Sequence, residues 1–167
     1  MKKEWIIVLL LAVLLSSTAY AEESGSSWQA TIRADGQELG GVAASQAIIG
    51  VDKKESNLPA PPTPPEYSVN VLLFDSEWSS MYRDIRVAGM PRYLWIIGID
   101  PHGNMGDPFI QRTARLSWEP ASFGGGKFTL SEGHDGVGKV VVEDMKATSF
   151  YDVSGNRIKH FSILYKP

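Results

Sequence analysis

Beyond residue 21, no stretch of about 11 residues repeats its apolar positions at helical period, and nothing else in this chain narrows its fold as far. Short runs with strand character take the place of helices, and Gly, Pro and Asp punctuate them. Trp28 to Asp35 alternates, with Trp28, Ala30, Ile32 and Ala34 on one face and polar residues on the other. Tyr67 to Phe74 and Tyr93 to Asp100 are apolar on both faces and read as central strands. Ile110 to Glu119 and Val140 to Val142 add further strands, and Leu39 to Val51 reads as one or two short ones. Thr148–Val153 and Arg157–Tyr165 flank Ser154-Gly155-Asn156, which predicts a terminal hairpin. About eight or nine short strands predict an all-β fold, an antiparallel β-sandwich of Ig-like or jelly-roll type. Its expected core is Trp28, Ile32, Val69, Val71, Leu73, Trp95, Ile97, Leu116, Trp118, Val140, Val142, Phe161 and Ile163.

The first 21 residues differ in kind. Met1-Lys2-Lys3 is positive, Trp5 to Leu15 is an unbroken apolar run, and Ala19-Tyr20-Ala21 is a small-x-small site. This is the pattern of a cleaved secretory signal peptide. The apolar run falls short of the ~20 residues needed to span a bilayer. The expectation is therefore a secreted or periplasmic protein beginning at Glu22, with a frayed terminus over 22–27 and one domain over 22–167. No membrane span is expected once the signal is removed.

Composition narrows the function classes. The chain has no cysteine, which excludes disulfides, thiolate metal sites and cysteine nucleophiles. Its formal net charge is −3, and its densest basic run, Arg83-Asp84-Ile85-Arg86, contains its own acid. A nucleic-acid partner, which would need clustered cations to neutralise phosphates, is not expected. Residues 52–66 form a Pro-rich strap, with five prolines between Leu58 and Pro65. Such a run favours polyproline II and reads as a stiff crossing of the domain edge rather than as a ligand for SH3-like domains.

Gly50-Val51-Asp52, the strap, a strand, Tyr82-Arg83-Asp84-Ile85-Arg86 and a strand centred on Trp95 follow one another in that order. Over Ile49 to Trp118 this order resembles an Ig-like β-sandwich accessory module of bacterial exported and cell-surface proteins. The resemblance implies an extracytoplasmic, non-catalytic module. It supplies no site residues. It departs from the pattern of such modules in having no companion domain on this chain.

Candidate chemistry lies in loops. Asp100, Asn104 and Asp107 offer oxygens to a Ca²⁺ ion, although Met105 and Gln111 break the EF-hand pattern; the same residues also suit a polar turn. His102, Asp107, His134 and Asp135 could equip a small metal-dependent hydrolase, but no two histidines have ligand spacing. No serine-nucleophile or phosphate-loop motif occurs. Trp78 stands among Ser76, Glu77, Ser79 and Ser80, where no strand period demands its burial. With Glu77 and Tyr82 it could stack on a sugar while its neighbours bond the hydroxyls, or it could fold back as a lid. The leading expectation is an exported, non-enzymatic β protein that binds another macromolecule, protein or glycan, or packs into a surface assembly. The alternatives are a carbohydrate-binding module using Trp78 and the small hydrolase.

Overall fold

A computed structural model describes residues 27–36, 45–62, 69–101, 109 and 111–167. The signal segment, most of the frayed terminus, part of the strap, and His102, Asn104 and Asp107 lie outside the described residues. The fold is all-β. The strands are β1 (Trp28–Gly36), β2 (Ser45–Asp52), β3 (Ser56–Pro59), β4 (Asn70–Phe74), β5 (Ser80–Val87) and β6 (Tyr93–Asp100). They continue with β7 (Arg112–Ser117), β8 (Lys127–Glu132), β9 (Val140–Val142), β10 (Phe150–Gly155) and β11 (Lys159–Lys166). One short 3-10 turn, Pro120–Ser122, is capped by Glu119. No helix among the described residues is long and apolar enough to cross a membrane.

The expected two-sheet antiparallel sandwich of eight or nine strands is corrected. Eleven strands join in a single mixed sheet in the order β10-β7-β1-β2-β5-β4-β6-β11-β8-β9, with β3 also on β5. The mixed character comes from β2 and β5, which run parallel with Ile49 opposite Asp84 and Val51 opposite Arg86. The sheet curls until its two margins are stitched by the segment between β9 and β10. Met145 N–H donates to the Phe128 carbonyl on β8, and Trp118 N–H, just past β7, donates to the Ser149 carbonyl. The Trp118 indole nitrogen donates in the same segment, to the carbonyls of Met145 and Thr148 at 2.7 Å each. The result is a nearly closed barrel.

Two further expectations fail. β10 and β11 do not form a hairpin: β10 pairs with β7, whereas β11 lies between β6 and β8. The reason is burial. Phe161, Ser162 and Ile163 are consecutive and all buried, so β11 needs a neighbour on each side. The strap is not irregular throughout either. Ser56–Pro59 pairs with β5 as a short edge strand whose register skips Tyr82, and Ala60 N–H extends the contact to the Ser80 carbonyl. Proline is tolerated there because it ends the strand, at the register shift.

The core is aromatic at one end and aliphatic at the other. Trp28 meets Trp95, Phe128 and Tyr165 edge-on at centroid separations of 5.7, 4.9 and 5.3 Å. Tyr165 stacks on Phe128 at 4.3 Å. All expected core residues are buried except Val140, which is 40% exposed because it lies in the short outermost strand β9. Each large apolar side chain so buried contributes about 1.5–3 kcal/mol. One ion pair lies among them. Asp84 is buried and accepts from Arg86 at 2.9 Å, its backbone carbonyl takes the Trp95 indole N–H at 3.1 Å, and the Arg86 guanidinium stands 5.4 Å from the Trp95 ring.

Candidate ligand-binding site

The turn from β4 to β5 is built by Asp75. Its Oδ1 accepts the N–H groups of Glu77 and Ser79 at 2.9 and 2.8 Å, the Asx arrangement for which aspartate is favoured in turns. Its carbonyl accepts Trp78 N–H, and its own N–H donates to the Ser79 carbonyl. Within this clamp Trp78 takes φ 61°, in the left-handed region where a bulky side chain is an outlier. Holding an L-residue there costs roughly 1–2 kcal/mol, so the turn stores strain in presenting this indole.

The indole is 49% exposed, and three rings fix the rest of it. Phe74, at the end of β4, is 5.6 Å away; His160 of β11 is 5.4 Å away; His134, in the loop between β8 and β9, is 5.3 Å away. Sheet register explains the meeting. His160 is opposite Gly98 on β6, and a side chain at Gly98 would put its Cβ 2.6 Å from the Phe74 ring. The missing side chain leaves room for Phe74, which packs 5.5 Å from His160 and supports Trp78 from beneath. The His134 loop is tied to the same strand by Gly133 N–H on the His160 carbonyl at 2.9 Å.

Burial, and then the nearby His134, make the His160 imidazole harder to protonate than a free histidine. A neutral imidazole offers one donor and one acceptor. Neither imidazole bonds a partner side chain or backbone group among the described residues, so that capacity is open. Asp135 turns its Oδ1 to Val137 N–H and caps its own loop, rather than orienting His134 as a catalytic carboxylate would.

Of the residues singled out in the sequence, Trp78 and Glu77 sit on this exposed turn. Tyr82 lies half-buried on β5, and the rings around Trp78 are those of Phe74, His134 and His160 instead. Asp100 closes β6 opposite Asn70 and is half-buried. Its two proposed Ca²⁺ co-ligands, Asn104 and Asp107, are outside the described residues, as is His102. Among the described residues, no three His, Asp or Glu side chains converge as a metal ligand set. His134 and His160 had no common motif in the sequence, since 26 positions separate them and only the β8–β11 and β6–β11 pairings bring them to one indole. Comparisons with protein-family models, with curated proteins and with solved structures found no match, so a functional reading rests on this geometry.

Proposed function

We propose that this is an exported, non-enzymatic domain that binds another macromolecule outside the cytoplasm, and that Trp78 is the centre of its docking surface. One observation carries the reading: the chain spends backbone strain to hold a large indole half in water. Such strain persists where surrounding structure enforces it, and it concentrates at sites that bind or switch. Large aromatic side chains are also the commonest anchors of binding energy at interfaces. The signal-like N-terminus supports the location, and the resemblance to accessory modules supports a binding rather than a catalytic role.

The test has two arms. Mass spectrometry of the exported product should give a chain starting at Glu22. Retention of the purified protein on cell-envelope preparations should be lost in Trp78→Ala while the unfolding transition stays cooperative. Equal retention of the variant and the parent would overturn the assignment of the surface.

A further inference from the structure

We infer that the Trp78 platform takes a neutral glycan, stacking the C–H face of one pyranose ring on the open indole while His134 and His160 bond its hydroxyls. This rests on the reading above and names the chemistry of the partner.

Three features point to a sugar. The first is preorganisation. The Asp75 clamp and the three flanking rings fix Trp78 before any ligand arrives, so binding loses little loop or rotamer freedom. A single stacked ring is a small contact, and it gives useful affinity only on a surface that is already rigid.

The second is the polar rim. A pyranose presents an apolar C–H face edged by hydroxyls, each both donor and acceptor. Two imidazoles at 5.3 and 5.4 Å from the indole centroid, without partners among the described residues, offer the matching pair of functions. The exposed Ser76, Glu77 and Ser79 continue the rim on the same turn. A site of one aromatic face with a few convergent polar groups is the usual build of a small-ligand contact.

The third is what the surface lacks. A protein partner needs about 800 Å² from each side with an apolar centre. Besides Trp78, the large apolar side chain freely exposed on these two loops is Val137, at 83%. An anionic ligand would need cations, but the turn carries Asp75 and Glu77, and the His134 loop sets Asp135 and Glu132 against Lys139. A neutral, hydroxyl-rich ring fits this balance best.

The decisive experiment titrates the processed full-length chain with malto-, cello-, chito- and manno-hexaose, following heat and the histidine ring protons by NMR. Saturable binding of at least one oligosaccharide is expected, with shifts at both His134 and His160. Trp78→Ala should weaken it about tenfold or more, and Trp78→Tyr, which keeps an aromatic face, should restore most of the affinity. The double change His134→Gln with His160→Gln, which keeps a side chain of similar reach beside Trp78 but removes both imidazoles, should weaken it several-fold. Absence of saturable binding across the four sugars, or binding indifferent to Trp78→Ala, would overturn the inference. Envelope retention that still depends on Trp78 without any sugar binding would mean a protein partner, so the glycan assignment would fall and the docking surface would stand. If retention and sugar binding both ignore Trp78, both readings fall together.

Discussion

The indole nitrogen of Trp118 lies 2.7 Å from the carbonyl oxygen of Met145 and donates to it, across the seam where the curled sheet meets its own margin. The same N–H reaches the Thr148 carbonyl, so one side chain holds the β9–β10 segment against the end of β7. Trp118→Ala should cost about 3–5 kcal/mol through lost packing. Trp118→Phe, which keeps most of the ring but removes the donor, should cost about 1–3 kcal/mol by stranding the buried Met145 carbonyl. Chemical denaturation of both variants checks this, and a Trp118→Phe protein as stable as the parent would show that the seam does not need the bond.

Backbone strain at Trp78 makes a second expectation. Glycine enters the left-handed region without penalty, whereas alanine pays roughly 1 kcal/mol or more there. Trp78→Gly should therefore be at least as stable as Trp78→Ala, despite glycine's greater freedom in the unfolded chain. The opposite order in thermal melts would mean that the turn relaxes once the indole is gone.

Acid sensitivity should trace to His160. Its folded pKa lies below the free value of 6.5, first through burial and then through His134. The unfolded state then binds more protons, so this group's contribution to stability is complete above about pH 6.5 and is lost as pH falls toward the depressed folded pKa. His160→Gln should flatten the stability profile over that window. A profile unchanged by the substitution would place the acid-sensitive group elsewhere.

The Asp84–Arg86 pair tests how charge is tolerated between strands. Removing a partner from a fully buried pair costs about 3–5 kcal/mol, but the Arg86 side chain is 35% exposed, which screens the loss. Asp84→Ala should then cost about 1–3 kcal/mol by the same argument. The combined change Asp84→Leu with Arg86→Met should recover much of it. If the double variant is no better than the single one, the carboxylate acts through its backbone neighbourhood and not through its charge.

Gly98→Ala should reach the candidate site indirectly. Its Cβ would stand 2.6 Å from Phe74 and push the ring that underlies Trp78. A changed Trp78 environment in fluorescence or NMR, with the strand pairing retained, is the expected outcome; an unperturbed Trp78 would show that Phe74 yields elsewhere.

Strand identity was legible wherever side chains alternated or ran apolar on both faces, as in β1, β6 and β7, because burial follows the pleat. Pairing was not. Ser154-Gly155-Asn156 has the composition of a hairpin turn, yet Asp152 binds Arg115 and Ser154 binds Thr113, both on β7. His160-Phe161-Ser162-Ile163 alternates polar with apolar residues, so the run itself reads as half-buried, and only the structure shows Ser162 buried between its neighbours and β11 interior. Trp78 was legible as a residue that no strand period buries, but its polar neighbours left open whether it stands in water or folds back as a lid. Its histidine neighbours were not, since their meeting depends on which strands lie side by side, and strand order is a property of the whole sheet.

The position of β11 also bears on the order of assembly. This strand is the last one described but sits between β6 and β8, two strands in from the β9 margin of the sheet. Until residues beyond about 158 are available, β6 lacks one neighbour and β8 has only the three-residue β9. Native pairing must then wait for contacts distant in sequence, which places folding in the slow, millisecond-to-second regime of non-local β topologies. An emerging chain of this kind keeps the gap between β6 and β8 open until β11 follows.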